Sequence, residues 1–516
     1  MLRSICLQHK PYRANSRPDL LLVTAPSPDI TTDSFPHLGP AYLKSHLESL
    51  GYCIQTVNFT SRVRSHIPWL NPYRKALAQI VSREPLKRYL LGERVESVDS
   101  AAGVLWTLLG KRPEAKVYGF SVLSQYSLHA TLAMAAWLKR RQPRQRLIIG
   151  GCLFSDPRYR DLLALPWLDH VVSGPGMHVL PLLLDRSDAP RWISSVDEPL
   201  ASNPLPSFER EDLQAFRKSG VRSKLILPYQ VTRGCRYQCR YCTEANTLPQ
   251  HLPIDRVVTD LGILQTTYKP DAFFLTGVNL NNDPLFLQGL CDTLSSRKPA
   301  LRFGCPVSAR GLDANLIKSL AAAGCKFVLI GIETGSPRIR TLCRIKKTPS
   351  LLVMERTLRY LRQENINAHL YFMHGFPGEL DSDFEQTLTA AFRLGWHAAN
   401  GTVHAFGLMT GAPAFKEAAE LGIKPRHNDN SADPLSCLDP LDPTRPDYLI
   451  SIPFDEIEGM SWEERVAKNK NNQDRLAAVF HYYTYPHQLW RMAAYGPLYQ
   501  LKKMLLRPYY NLEFLL

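Results

Sequence analysis

No run of about 18 uninterrupted apolar residues occurs in the 516-residue chain, so a membrane-spanning helix is not expected. The stretch from Met1 to Leu20 has no apolar core of the kind a signal peptide needs, and a reducing cytoplasm is the expected setting. Cysteine is sparse, at 11 residues, and eight of these (Cys6, Cys53, Cys152, Cys291, Cys305, Cys325, Cys343 and Cys437) are scattered without ligand spacing. That excludes a disulfide framework and leaves them as small hydrophobes. Long blocks of Lys and Arg are missing too. The net charge of +15 is spread along the chain, so no nucleic-acid partner is expected, although a partner bearing phosphate or carboxylate is compatible with the charge. With 45% hydrophobic and 21% charged residues, the composition is that of a globular protein of two or three domains.

The remaining three cysteines, Cys235, Cys239 and Cys242, stand together in Val231-Thr-Arg-Gly-Cys-Arg-Tyr-Gln-Cys-Arg-Tyr-Cys-Thr-Glu244, with the spacing C-x3-C-x2-C after a short apolar stretch. Three thiolates on one tight loop can ligate three irons of a cubane cluster and leave the fourth open to a small molecule. Zinc normally takes four Cys or His ligands in paired knuckles, and no second pair follows here.

Short apolar segments alternate with helical ones through most of the chain. Leu20–Thr24 reads as a buried strand. Leu43, Leu47 and Leu50 share one helical face ending at Gly51, and a second strand runs from Cys53 to Phe59. Further strands are expected at 116–122, 146–151 and 170–174, with a helix from His129 to Arg140. This predicts a Rossmann-like doubly wound α/β domain over 1–190, with ligands at the carboxyl ends of its strands and a helical insertion at 60–113 containing Trp69, Tyr73 and Trp106. Pro199, Pro204 and Pro206 mark a linker at 191–224. Strands expected at 272–276, 301–304, 327–331, 368–373 and 401–406 then predict a parallel partial (β/α)6 barrel over 225–425. A helical C-terminal extension at 426–516 is expected to cap the substrate cavity. Its last stretch, Pro497 to Leu516, is basic, aromatic and apolar, which suits a closing helix or a peripheral membrane contact.

The cysteine spacing, with Tyr241 just before the last cysteine, resembles that of the radical S-adenosylmethionine (radical SAM) superfamily. The resemblance implies a [4Fe–4S] cluster whose open iron chelates the methionine part of S-adenosyl-L-methionine, and an electron transfer that yields a 5′-deoxyadenosyl radical. Gly331-Ile-Glu-Thr-Gly-Ser336 is similar to the family's G-I-E-S-G-S, placing Glu333 at the ribose or amino-acid part of the cofactor. Gly375-Phe-Pro-Gly-Glu379 resembles the G-x-P-G-E turn near the adenine, and Phe406 to Pro413 the strand and turn that close the core. At Thr276-Gly277 the strand-end acid that many relatives direct at the methionine amine is missing. Gly277 keeps the backbone accessible, and Asn279, Asn281 or Asp283 is left to supply the contact.

The first domain resembles the cobalamin-binding domain that precedes many radical SAM cores. Ser121-Val-Leu123 is similar to its S-x-L motif and Gly150-Gly151 to its G-G motif, with the glycines expected to admit the nucleotide tail of cobalamin. The axial D-x-H-x-x-G motif would need Asp at 34 and His at 36, where this chain has Ser34 and Pro36. His37, one position out of register, is a candidate substitute or simply a residue of the helix start. Gly174-Pro-Gly-Met177 departs from the relatives' G-E-G-E.

Together these features imply a cobalamin-dependent radical SAM methyltransferase acting on a small-molecule or peptide substrate, with a reducing partner such as flavodoxin or ferredoxin. A radical SAM enzyme of another outcome (cyclisation, dehydration or aminocarboxypropyl transfer) with the first domain as scaffold is the alternative, and an iron–sulfur redox sensor the non-enzymatic one. Methylthio transfer to RNA would call for an additional N-terminal three-cysteine domain and a basic C-terminal RNA-binding barrel, neither of which is visible. Alternation along 368–373 puts His369 and Tyr371 on one face, and with His404 they are candidates for substrate contact or proton transfer, or else ordinary barrel residues.

Overall fold

The apolar run Leu20–Thr24 forms strand β1, buried along its whole length. This computed structural model describes residues 17–24, 35–64, 70–110, 114–186, 188–219, 224–297, 300–426, 435–438 and 451–484. Strand β1 continues through β2 (Ile54–Asn58), β3 (Val117–Ser121), β4 (Arg146–Gly151), β5 (His170–Ser173) and β6 (Trp192–Ser194) in one sheet ordered β2-β1-β3-β4-β5-β6, parallel throughout. Its helices are α1 (Leu38–Ser49), then α2 (Phe59–Arg64), α3 (Leu70–Ile80), α4 (Arg83–Leu90) and α5 (Glu96–Leu108) of the insertion, then α6 (Gln125–Arg141) and α7 (Val179–Asp185). Strand order reverses between β1 and β3, and ligands of such sheets bind at the carboxyl side of that switch point.

The insertion is an integral part of this domain's core. Trp106 packs edge-on against Tyr118 of β3 at 5.8 Å, and Tyr73 and Tyr89 are fully buried in the same cluster. Trp69 and Ser34 lie outside the described residues. One expectation needs correcting: β6 falls in the stretch read as linker, yet it pairs with β5. A three-residue strand is too short to leave a periodic pattern, and the proline-rich composition starts only after it.

Helix α8 (Arg210–Ser219) leads to the second sheet, with Lys44 of α1 gripping Glu209 just before it at 2.9 Å. Strand β7 (Ile226–Gln230) precedes a short antiparallel pair, β8 (Thr232–Arg233) and β9 (Gln250–His251), which brackets the cysteine loop. There follow α9 (Ile254–Tyr268), β10 (Ala272–Thr276), α10 (Pro284–Ser295), β11 (Phe303–Val307), α11 (Ala314–Ala322), β12 (Cys325–Glu333), α12 (Pro337–Leu342), α13 (Leu351–Gln363), β13 (Asn367–His374), α14 (Asp381–Gly395) and β14 (Asn400–Ala405). The order β14-β13-β12-β11-β10-β7 is parallel throughout, with β7 and β14 as its edges, as a partial barrel requires. The strand expected at 301–304 lies instead at Phe303–Val307; Pro306 inside it argues against a strand when only sequence is read.

The extension is more than helical. After α15 (Pro413–Lys416), strands β15 (Ile423–Pro425) and β16 (Phe454–Glu456) pair antiparallel, and α16 (Trp462–Thr484) then lies along the β14 edge. There Gln473 donates from Nε2 to the Val403 carbonyl at 2.8 Å, and the absence of a Cβ at Gly401 admits the Phe480 ring. Between the two strands, Leu435, Cys437 and Leu438 are buried in the core of the first domain, where Arg83 donates to the Leu438 carbonyl at 2.5 Å and Ser436 to Asp161 at 2.6 Å. Pro497 to Leu516 lies outside the described residues, and among those described no helix is long and apolar enough to cross a membrane.

Candidate active site

The cysteine loop starts at Gly234, whose φ of +75° and missing Cβ let the chain pass the Leu248 carbonyl, 2.3 Å from where a Cβ would sit. Backbone bonds then fix the turn: Cys235 N–H to the Thr247 carbonyl at 3.2 Å and Cys242 N–H to the Cys239 carbonyl at 3.1 Å. Arg240, buried between Cys239 and Tyr241, donates its backbone N–H to the Cys343 carbonyl at 2.9 Å and sets its guanidinium against Glu417, at 2.7 Å, and Glu420. Arg344 holds Glu417 from the other side at 2.8 Å. The loop is thereby tied both to the turn after α12 and to the segment after β14.

All three cysteines are free and line one cavity of about 690 Å³. Burial pushes the Cys239 thiol up to about 11 and raises that of Cys242, while the Lys347 ammonium pulls both back. Among the described residues no trio of His, Cys, Asp and Glu is gathered for a single metal ion. A cluster asks only one thiolate of each iron, so three free thiols opening on one cavity fit it where they do not fit zinc.

The cavity lies at the carboxyl ends of the barrel strands and also touches Ser124 of the first domain and Ser451 of the extension. Gly277 is on its wall, and an added Cβ would meet Thr232 Oγ1 at 1.9 Å. Of the three residues left to replace the strand-end acid, Asn279 reaches the wall, its Oδ1 accepting from the Ser308 N–H at 2.8 Å. Asn281 is fully buried in bonds to Ser308 and Arg310, and Asp283 caps α10 through the Leu285 and Phe286 N–H groups.

Glu333 ends β12 where the register against β13 shifts, and it adopts φ 66°. A non-glycine residue in that region is strained, and such strain clusters at functional sites. Glu333 is 5% exposed, and its carboxylate sits 2.8 Å from Lys347 Nζ. Burial pushes the Lys347 ammonium down, but Glu333 together with Cys239 and Cys242 outweighs it and holds the group above its ordinary range. Lys347 also stands 5.8 Å from the centroid of the Tyr241 ring. Sequence reading missed this lysine because it falls in an aperiodic loop; Ser124, Ser308 and Ser451 were missed for the same reason.

Tyr371 and His404 reach the cavity wall with their rings stacked at 6.4 Å, whereas His369 stays behind it, 3% exposed, with Nε2 bonded to Thr402 Oγ1 at 2.7 Å. Burial pushes the His369 imidazole down to about 4, so it is neutral at pH 7. Gly375 is also off the cavity. Its N–H donates to Glu379 Oε2 at 2.6 Å, its carbonyl accepts from Arg465 at 2.8 Å, and a Cβ there would meet Asn469 of α16 at 2.2 Å, so the G-x-P-G-E turn is buttressed by α16.

In the first domain, Ser121, Gly150 and Gly151 lie at the carboxyl edge of the sheet rather than on the cavity wall. Gly151, at φ +136°, passes so close to the S-x-L-like loop that a Cβ would sit 2.1 Å from the Val122 carbonyl oxygen. Contact with the neighbouring loop therefore already requires this glycine, before any cofactor is considered. His37 stands at the N-cap of α1, in a small crevice with Thr24 and Asp212 that is separate from the cavity.

Chemistry at this site follows from a loop of free thiols that opens onto the strands' carboxyl ends, which is the arrangement of the radical SAM class. Residues 229–391, which span the cysteine loop and the strands from β8 to β13, match the Radical SAM superfamily. This part of the chain is a radical SAM domain, which implies a [4Fe–4S] cluster and S-adenosyl-L-methionine as cofactors. Among curated relatives, the tRNA-2-methylthio-N(6)-dimethylallyladenosine synthase of Nitrosomonas eutropha is 25% identical over 279 residues, 51% of this chain and 60% of that one. That of Mycobacterium bovis is 25% identical over 330 residues, 60% of this chain and 62% of that one. The chain thus spans about three fifths of the length of these relatives. Among solved structures, the radical S-adenosylmethionine methyltransferase TsrM from Kitasatospora setae, with cobalamin and a [4Fe–4S] cluster bound, matches at TM-score 0.58 and 16% identity over 91% of both chains. The cobalamin-dependent S-adenosylmethionine radical enzyme OxsB matches at 0.52 and 14% identity over 89% of this chain and 62% of that one. At these identities the likeness is one of fold.

Proposed function

We propose that this enzyme is a cobalamin-dependent radical SAM methyltransferase acting on an unactivated centre of a small molecule or peptide, with flavodoxin or ferredoxin as electron donor. The observation that carries the reading is the shared cavity: the cysteines form one wall, and Ser124, the first residue after the S-x-L-like loop at the switch point, belongs to another. The residues present fit cobalamin there, because among the described residues Leu123, at 45% exposure, and Cys152 stand exposed at the carboxyl edge of the first sheet. When bound, the cluster supplies the electron that cleaves S-adenosyl-L-methionine and cobalamin supplies a transferable methyl group.

The chain's own contribution is positioning and dryness. Cys235, Cys239 and Cys242 hold the irons, Tyr371 and His404 face the acceptor, and Phe274, Leu329, Met373 and Met409 give the cavity an apolar wall that excludes water. The curated relatives act on tRNA by methylthiolation, which would call for a further cysteine trio in the first domain. Here Cys53 immediately precedes β2 and Cys152 immediately follows β4, one at the amino ends and the other at the carboxyl ends of parallel strands, so the two cannot share a cluster. That favours methyl transfer.

The test is anaerobic purification from cells supplied with iron, sulfide and cobalamin, followed by an optical spectrum, cofactor extraction and incubation with methyl-labelled S-adenosyl-L-methionine. Stoichiometric cobalamin that acquires the labelled methyl group is the expected result. A cluster without cobalamin would overturn the proposal in favour of a radical SAM reaction of another outcome, with the first domain as scaffold.

A further inference from the structure

We infer that the outer face of the cysteine loop is the docking surface for an acidic one-electron carrier protein, with Arg236 at its centre and Leu248, Leu285, Arg310 and Lys346 around it. The inference rests on the radical SAM reading of the cavity and adds the place where the electron enters. The cysteines open inward on the space that cofactor and acceptor fill, so a protein donor has to approach the same loop from its other side. None of the five residues lines the cavity.

Hydrogen bonds hold them on one face. Asn282, in the single turn Leu280–Asn282 before α10, donates from Nδ2 to the Gly234 carbonyl at 2.9 Å and accepts from the Arg236 N–H at 3.4 Å. Its neighbour Asn281 donates to the Arg310 carbonyl at 3.2 Å, and Arg310 Nε donates to the Lys346 carbonyl at 2.5 Å. Leu285 follows in the first turn of α10, and the Leu248 carbonyl packs on Gly234. The Arg236 guanidinium stands 5.1 Å from the centroid of the Tyr237 ring and donates to its hydroxyl at 3.1 Å. Tyr237 lies between Cys235 and Cys239 and lines the cavity, so one contact runs from the exposed face to the cluster side of the loop.

The charge on this face is unbalanced. Arg236, Arg310 and Lys346 are exposed, and none of them pairs with a carboxylate among the described residues. The other charges nearby are matched: Arg240 and Arg344 with Glu417 and Glu420, and His251 with Asp283 at 3.8 Å. Three cations are left for a partner's carboxylates. Beside them Leu248 is 79% and Leu285 85% exposed, apolar area that a partner would cover. Charge that steers the encounter, joined to a small apolar contact, suits a short-lived redox pair that must separate after each transfer. The step moves one electron from the reduced carrier to the oxidised cluster, and no bond is made or broken at the surface.

The experiment follows reduction of the cluster in the reconstituted protein by stopped flow, with reduced flavodoxin, with reduced acidic ferredoxin and with the methyl viologen radical cation, iron content being recorded for each variant. The Arg310→Glu, Lys346→Glu double variant is expected to slow reduction by the carrier proteins at least about tenfold at low salt. The gap should narrow as ionic strength rises from about 20 mM to about 500 mM. Reduction by methyl viologen, which needs no docking, should not slow. Leu285→Glu adds an acid to the first turn of α10, where a helix favours one, so it is the safer variant for folding; it should slow the carriers about threefold. Equal slowing of carriers and viologen, or no slowing of the carriers, in variants with full iron content overturns the proposal. So does a wild-type cluster that viologen reduces and neither carrier does, or a sedimenting dimer that these variants dissolve, which would assign the face to a second copy of the chain. A wild-type protein that holds no reducible cluster would instead remove the radical SAM reading itself.

Discussion

Two glycines at strand ends, one in each sheet, are forbidden a side chain for different reasons. At Gly331 the missing Cβ makes room for the Glu333 carboxylate and the Lys347 ammonium, whereas at Gly151 it makes room for a backbone carbonyl, that of Val122. The contrast extends to the surroundings. The barrel side directs thiols, an ion pair, three phenols and an imidazole into the cavity, while the first domain contributes one hydroxyl, Ser124. The barrel's carboxyl edge carries its chemistry in side chains, and the first domain's edge is defined by backbone shape. Barrel groups should therefore be separable one at a time, whereas changes at the first sheet's edge should disturb folding and binding together.

The largest expected effects lie in the barrel. Cys235→Ala, Cys239→Ala and Cys242→Ala should each abolish cluster-dependent cleavage of S-adenosyl-L-methionine, measured by iron content and release of 5′-deoxyadenosine. Cys343→Ala, at a buried position outside the cavity, should leave cleavage intact; full cleavage in the triple variant of the loop cysteines would break the comparison. At the first sheet's edge, Gly151→Val must combine strained backbone with a clash, and should lower the unfolding free energy by about 4 kcal/mol. Denaturant titration of the cluster-free protein reads this directly. Gly331→Ala, by contrast, should act mainly on cofactor affinity.

Each region also buries a neutral histidine. The His369 imidazole is pushed down to about 4 by burial, and that of His129 in α6 to about 3. A folded pKa below the unfolded value near 6.5 means that the unfolded chain takes up the proton first. Stability is thus intact above pH 6.5 and is lost as pH falls toward the folded pKa. For His369 the loss should reach about 3 kcal/mol by pH 4, and His369→Gln should remove that part of the acid slope in pH-dependent denaturation. Arg240→Met should cost about 2 kcal/mol, since it strands Glu417 on one remaining arginine while most of the network stays partly solvated. It should also loosen cluster retention, visible as iron loss on dialysis. The smallest effect has the opposite sign. Both ring nitrogens of His129 are buried without a hydrogen-bond partner, so His129→Leu should raise stability by about 1 kcal/mol.

Much of this architecture was legible in the sequence, because strands and helices that alternate over long stretches leave a period that residue patterns record. The cysteine loop was legible through spacing alone. What escaped were features set by contacts between distant segments. Lys347 meets Glu333 across a loop with no period, and Ser124 and Ser451 come to one cavity from two different domains. The glycine at 151 was read as a concession to a ligand, whereas the neighbouring Val122 carbonyl already requires it. The imidazole of His369 has the same strand parity as Tyr371 but stops short of the cavity, since parity gives the face of a strand and not the depth of the wall.

Leu435, Cys437 and Leu438 fill part of the core that Tyr73, Tyr89 and Trp106 build. During synthesis the first domain therefore leaves the ribosome with its core incomplete, and must wait for some 240 further residues before the pieces that finish it emerge. At about 5–20 residues per second that wait lasts roughly tens of seconds. The order in which the chain is made thus runs against the order in which its cores close, and a truncation after the barrel would leave both halves translated but the earlier one unfinished.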